Sequence, residues 1–307
     1  MREDFILKME KLLKWKSLML MKNLFSLQDV LIAIVPFTMR ELQKYIIIHI
    51  KSEGKSLKRL LRRLKNMQEY ILLMNSKDAI VLKKGKVYNT KFGKIDTRNV
   101  EIGDIVETKK ERFVVVKPTI PDLLKKCKRS AQIVMPKDAS QIVSITGLTA
   151  GWRCLDAGTG SGFLSIFIGN IIGKKGRVYT YEKRKDFYEI AKKNIEMCGL
   201  NNIIIKNEDV KNFRERNLDL ITFDFKNSHT MIKKAKKHLK RGGWLVIYSP
   251  HIEEQIVAIE EMKNNDMRVY ATIENMQRKW KSVHGYTHPE SSGILHTGFM
   301  TFSRRAF

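Results

Sequence analysis

At 307 residues the chain can hold one large domain and something smaller, and its hydrophobic content of 43% is that of an ordinary globular core. The longest apolar run near the start, residues 30–37, is eight residues long and contains Pro36, and Glu3, Asp4 and Glu10 lie close by, which excludes a membrane-spanning helix and a secretory signal there. The net charge of +26, from 58 Lys and Arg against 32 Asp and Glu, resists compaction unless a polyanion shares the field, so nucleic acid or an anionic membrane surface is the expected partner, with a lysine-rich background composition as the plain alternative.

Residues 1–73 read as a basic helical extension almost free of glycine. Segment 41–50 fits a buried helix or a strand equally, since periodicity does not separate them. Segment 55–65 is a basic amphipathic helix with Leu57, Leu60, Leu61 and Leu64 on one stripe. Such a helix suits contact with RNA or a membrane, and equally a solvated face over a small helical bundle. Met74 is an alternative start, which would leave 1–73 untranslated. Residues 74–121 read as a small β domain. The runs 79–82, 86–90, 105–108 and 113–116 are β-prone and split by Gly85, Gly93 and Gly103, and Pro118 and Pro121 close the segment.

Residues 122–307 alternate strand and helix. A helix over 138–145 leads to Gly147; a strand at 153–156, a glycine turn and a helix from Phe163 follow, stopped by Gly173 and Gly176. The second strand, 178–181, ends at Glu182, and a helix spans 186–198. A third strand at 203–205 ends near Asp209, and a fourth covers 218–224. A lysine-rich helix at 231–239, a fifth strand at 244–248 and a helix at 252–263 come next, and the runs 267–273 and 297–303 can pair antiparallel. This order is a doubly wound, Rossmann-like α/β sheet, with ligands expected at the carboxyl ends of its strands. Asp156, Glu182, Asp209 and Asp224 fall there, one per successive strand end.

The turn Asp156-Ala157-Gly158-Thr159-Gly160-Ser161-Gly162 carries the most chemistry. Glycines take positive φ and let a ligand approach the backbone, and the following helix start points N–H groups at that ligand. The dinucleotide fingerprint G-x-G-x-x-G is not met, because position 163 is Phe. An acid two residues before the first glycine suits a cationic amino-acid headgroup better than a pyrophosphate. Glu182, at the end of the second strand, can accept from both ribose hydroxyls. S-adenosyl-L-methionine is therefore favoured over NAD, and a purely structural turn is the remaining alternative. Cys127, Cys154 and Cys198 have no metal-ligand spacing and do not pair by count, so no metal is expected and a reducing, cytoplasmic setting is the simplest.

The segment 128–138, with Gln132 and Pro136-Lys137-Asp138, followed by the glycine turn, resembles the tRNA (adenine-N1)-methyltransferase family of the TrmI type. Arg278-Lys279-Trp280, His288-Pro289 and His296-Thr297-Gly298-Phe299 occur in that family's order near the C-terminus, and Pro250 followed by Gln255 fits as well. The resemblance covers about 77–305, and makes 122–307 a class I methyltransferase domain. It implies an S-adenosylmethionine-dependent, metal-free enzyme, a homotetramer in bacteria and archaea, that methylates N1 of an adenine in the T-loop of tRNA (adenine 58, with 57 as a further target). Carried over by position, Thr159, Gly160, Ser161 and Gly162 hold the methionine part, with Val134, Asp156 and Gly158 around them. Glu182 holds the ribose, Asp209 and Val210 hold the cofactor's adenine, and Asp224 faces the target base. Three departures stand out: Met135 replaces a common Tyr, Asp156 replaces the usual Glu, and the loop 225–229 lacks the common proline.

Adenine N1 already carries a lone pair, so the enzyme needs to position it and exclude water rather than remove a proton. Asp224 is expected to accept from the exocyclic amine of a flipped adenine and to stabilise the cationic product, with a helix cap for the segment from Ser228 as its plain alternative. Gln132 is expected at the cofactor or at the target adenine, or as a satisfied loop amide. Arg278 and Trp280, in a loop with Lys281, His284 and His288, suit an RNA backbone and stacked bases, or a plain surface loop. His296 is expected to bind substrate or orient the C-terminal hairpin. Other readings are a methyltransferase for protein (isoaspartyl-type) or a small molecule, and a non-catalytic tRNA-binding subunit, which should have lost acids from the cofactor edge.

Overall fold

The computed structural model describes residues 70–129, 132–291 and 296–307. Segment 41–50 and the amphipathic helix at 55–65 lie outside these residues. Six short strands come first: β1 (Tyr70–Met74), β2 (Ala79–Lys83), β3 (Val87–Thr90), β4 (Gly93–Asp96), β5 (Ile105–Glu107) and β6 (Arg112–Val116). Four form an antiparallel sheet in the order β2-β1-β6-β5, and β3 and β4 make a separate hairpin. Apolar side chains from both, among them Ile71, Leu73, Ile95 and Phe113, close over one small core, where Phe92 and Phe113 meet edge to face at 5.0 Å.

The expected boundary between residues 73 and 74 falls inside β1. That strand pairs with β2 on one side and β6 on the other, so residues 70–73 belong to the sheet and a chain started at Met74 would lack an inner strand. Ile71, Leu72 and Leu73 are all buried, so no polar residue alternates with them to reveal a strand period.

Helix α1 (Ile120–Lys126) leads out of this sheet. Asp122 in its first turn accepts from the Thr119 N–H at 2.9 Å, and Lys126 reaches back to the Val81 carbonyl at 2.9 Å. Helix α2 (Pro136–Thr146) starts two residues before the expected 138, because proline at the first helical position is pre-set for helical φ. The large sheet then forms from β7 (Arg153–Ala157), β8 (Arg177–Tyr181), β9 (Ile203–Lys206), β10 (Leu218–Phe223), β11 (Leu239–Ser249) and β12 (Met267–Glu274). A hairpin, β13 (Trp280–Val283) and β14 (Tyr286–Pro289), precedes the last strand, β15 (Phe299–Arg305).

The strand order is β12-β15-β11-β10-β7-β8-β9. β15 runs antiparallel to β12, as expected of these two runs, and also to β11, and the other neighbours are parallel. Helices α3 (Phe163–Ile172), α4 (Lys185–Met197), α5 (Ile232–His238) and α6 (Ile252–Asn264) connect the strands, and two buried clusters form the cores. β7 and β10 lie side by side at the centre with almost every side chain buried, as parallel strands covered on both faces require. The doubly wound sheet and the preceding β domain expected from the sequence are present. Among the described residues no helix is long and apolar enough to cross a membrane.

Candidate functional site

The site forms where β7, β8 and β10 end. Gly158, Gly160 and Gly162 have φ of +89°, +55° and +84°, which turns the chain from β7 into α3. At Gly158 the missing side chain serves the protein as well as any ligand. A Cβ there would lie 1.9 Å from the Asp224 carbonyl oxygen, so the glycine lets the loop after β10 cross the turn. The Asp224 N–H donates to the Ala157 carbonyl at 2.8 Å and fixes that crossing.

Asp156 is buried within β7 and bonded on all sides by hydroxyls. Its carboxylate accepts from Ser165 of α3 at 2.5 Å and from Thr222 of β10 at 2.7 Å, with Thr180 of β8 at 3.4 Å. Burial is the main cause that raises its pKa, opposed by these hydroxyls. The carboxylate expected to attract a headgroup thus also joins three elements beneath the turn. Glu182, directly after β8, accepts from the Gly160 N–H at 2.9 Å and from the Arg184 N–H at 2.9 Å, which bonds it onto the glycine turn. Asp209 caps the short 3-10 turn Val210–Asn212 by accepting from Lys211 N–H at 2.8 Å, and Val210 is buried beneath it.

Asp224 differs from the other three acids. Among the described residues no donor lies within hydrogen-bond distance of its carboxylate, and the cap of the 3-10 turn Ser228–Met231 is Asn227, which removes the helix-cap alternative. The residue is partly buried and faces the cavities it lines. Burial first, and then the charge of Asp156, push it up to about 7. A folded-state pKa above the ordinary ~3.9 means that the folded protein holds an extra proton between about pH 4 and pH 7, so stability is full below that window and falls as pH rises through it. Asp224→Asn is therefore expected to stabilise the fold at pH 8 by on the order of a few kcal/mol, seen as a higher unfolding temperature, and by much less at pH 4. Scanning calorimetry at the two pH values checks this, and an equal margin at both would show that the carboxyl does not titrate there.

Asp224 lies between two cavities. The smaller, about 20 Å³, is bounded on one side by Gln132 and Val134 and on the other by the turn residues Gly158, Thr159, Gly160 and Ser161. Ile133, Phe163, Leu164, Asp156 and Asp224 complete it, and among the described residues no Lys or Arg lines it. In a chain of net charge +26, two neighbouring carboxylates without a cationic partner at the cavity fit a cationic ligand, as the charged sulfonium and ammonium groups of S-adenosylmethionine are. Glu182, Asp209 and Val210 do not line this cavity but stand at the adjoining strand ends, where a ribose and a purine would extend.

The larger cavity, about 310 Å³, lies on the other side of Asp224, and its walls include Phe225, Tyr248, Ser249, His251 and Glu254. Of these only Phe225, in the loop 225–229, was singled out from the sequence, although Tyr248 and Ser249 end the fifth strand of the same sheet edge, a position that itself marks ligand sites. Ser249 donates to Glu254 at 2.6 Å and so joins the strand end to α6.

The remaining candidates are dispersed. The Gln132 amide donates to the Thr297 carbonyl at 3.0 Å, so it is a satisfied amide that also faces the smaller cavity. His296 bridges Glu274, at 2.5 Å, and the Pro250 carbonyl, at 3.3 Å. The bond to Glu274 is the main cause raising its pKa, and the pairing ties the entry of β15 to the end of β12. Arg278 and Trp280 line neither cavity. Trp280, Lys281 and His288 belong to the exposed β13–β14 hairpin and not to a loop, with the Arg278 guanidinium 5.9 Å from the Trp280 ring.

A central parallel sheet with one reversed strand inserted beside its edge, and a glycine turn with acids at the strand ends, defines a class I, S-adenosylmethionine-dependent methyltransferase. The solved structure of a SAM-dependent O-methyltransferase from Thermotoga maritima shares this architecture, with a TM-score of 0.68 and 27% identity over 78% of this chain and 94% of that one. Within that class the chain belongs to the family described as tRNA methyltransferase complex GCD14 subunit, whose model matches residues 112–292. It is 30% identical to the tRNA (adenine(57)-N(1)/adenine(58)-N(1))-methyltransferase TrmI of Methanocaldococcus jannaschii, over 78% of this chain and 95% of the relative. It is 31% identical to the tRNA (adenine(58)-N(1))-methyltransferase TrmI of Thermus thermophilus, over 64% of this chain and 78% of the relative.

Proposed function

We propose that the protein transfers the methyl group of S-adenosylmethionine to N1 of adenine in the T-loop of tRNA, at the adenine 58 position that both relatives are named for. The observation that carries this reading is the placement of Asp224, a carboxylate with no donor among the described residues, as the shared wall of two cavities. The family and the net charge of +26 support it.

In this reading the methionine part lies at the mouth of the smaller cavity, against Val134, Gly158, Thr159, Gly160 and Ser161, with Gly162 opening the helix behind them. Glu182 holds the ribose, and Asp209 and Val210 hold the cofactor's purine. The bound cofactor supplies an electrophilic methyl carbon on a sulfonium. The target adenine leaves its stack, at a cost of about a few kcal/mol, and enters the larger cavity. Asp224 accepts from its exocyclic amine, which orients N1 toward the methyl carbon, and its charge then faces the cationic ring of the product. No group has to take a proton from N1. Arg278, Trp280 and the lysines of α5 stand as RNA contacts outside the cavities, and a homotetramer belongs to the same reading.

The test is to incubate the protein with labelled S-adenosylmethionine and unmodified tRNA transcript and to map the product. Label at N1 of the T-loop adenine is the expected result. Label in protein would replace this reading by the isoaspartyl type, and cofactor binding without transfer would make the chain a non-catalytic subunit.

A further inference from the structure

Two of the segments that carry the family resemblance, 128–138 and 296–299, meet at Thr297. Its backbone carbonyl accepts two hydrogen bonds, from the Gln132 amide at 3.0 Å and from the Tyr248 hydroxyl at 2.7 Å. Gln132 lines the smaller cavity and Tyr248 the larger. The Thr297 hydroxyl sits within an ion pair: it donates to Asp138 at 2.6 Å and accepts from Lys137 at 2.6 Å. Lys137 pairs with Asp138 at 2.8 Å and also donates to the Asn275 carbonyl, while the Asn275 amide donates to the Lys137 carbonyl at 2.7 Å.

The Lys137 and Asp138 side chains are 6% and 0% exposed. Charges buried this far are tolerated only with their partners in place, so the pair holds Thr297 in one position. Packing restricts it further. A Cβ on Gly298 would fall 2.6 Å from the Tyr248 ring, so the ring lies directly against the backbone beside the carbonyl that its hydroxyl uses.

We propose that Thr297 is a positioning residue that couples the two cavities, its carbonyl a single anchor shared by Gln132 on one side and Tyr248 on the other, with the Lys137–Asp138 pair as its lock. The proposal rests on reading the smaller cavity as the S-adenosylmethionine site. A ligand that shifts Gln132 changes the acceptor available to Tyr248, and by linkage a ligand that orders Tyr248 changes the affinity on the Gln132 side by the same factor.

Calorimetric titration of S-adenosylmethionine into the full chain tests it. Tyr248 does not line the smaller cavity, so independent cavities leave the affinity of Tyr248→Phe unchanged. A shared anchor weakens it roughly threefold to tenfold, weakens Thr297→Val by about tenfold or more, and is restored in Thr297→Ser, which keeps the hydroxyl. The double variant Gln132→Ala with Tyr248→Phe loses less than the product of the single losses. Hydrogen exchange on the unmutated protein gives a second reading that no folding defect can confuse. Addition of the cofactor protects residues 248–254 as well as 132–135 and 158–162. Affinity of Tyr248→Phe within twofold of wild type, or protection confined to the smaller cavity, overturns the shared anchor. Wild type that binds no S-adenosylmethionine overturns the functional reading instead.

Discussion

Asp224→Ala lowers kcat on unmodified tRNA transcript by about two to three orders of magnitude, with S-adenosylmethionine still bound within a few fold of wild type. That size is typical for losing one electrostatic group aimed at developing charge in an enclosed site. The cause lies in what surrounds the carboxylate. Asp156 and Glu182 have their oxygens occupied by hydroxyls and backbone N–H groups, and Asp209 caps a turn. Asp224 lines both cavities, and among the described residues no donor bonds to its carboxylate. Asp224→Asn separates its two tasks, since the amide oxygen still accepts a hydrogen bond but the product cation loses its counter-charge. The amide is expected to fall between the acid and alanine in single-turnover rate at pH 8. Wild-type turnover by the alanine variant would remove Asp224 from the reaction, and a loss confined to cofactor affinity would move it to the cofactor.

Gly158→Ala abolishes cofactor binding and activity together and lowers the unfolding temperature. Two costs combine at this position. A φ of +89° strains any residue with a Cβ by about 1–2 kcal/mol. The added atom also falls 1.9 Å from a backbone oxygen of Asp224, which no side-chain rotation relieves. Either the β7 turn or the loop after β10 must move, and both cavities include residues from that loop. Gly147→Ala is the matched control: its φ is +69°, nothing lies within 4 Å of a Cβ there, and only about 1 kcal/mol is expected. Calorimetric binding and thermal unfolding of the two variants decide the matter. If both behave alike, the close approach to Asp224 has no consequence for the site.

Part of this site was legible along the chain because the residues concerned are local to their elements. A β-prone run followed by glycines and then an apolar helix specifies a strand, a turn and a helix whatever surrounds them. Glu182 and Asp224 could be placed at strand ends by counting from the apolar runs. The same approach failed where local pattern is silent. β1 has no polar alternation, so its residues passed for the end of the preceding extension. Tyr248, Ser249 and Glu254 were passed over because a wall of a cavity has no spacing rule of its own.

The amino-acid sequence by itself determined the class: strand period, glycine turn, acids at successive strand ends and a large cationic excess are properties of short segments and of composition, and they survive any arrangement of the strands. Only the tertiary structure decided which acid is left without a donor and which distant segments touch. Gln132 and Thr297 are 165 residues apart, and they meet because β15 inserts, reversed, between β11 and β12. Contacts at that separation depend on strand order, which no local preference encodes, and the place of Asp224 between two cavities depends on the same long-range packing.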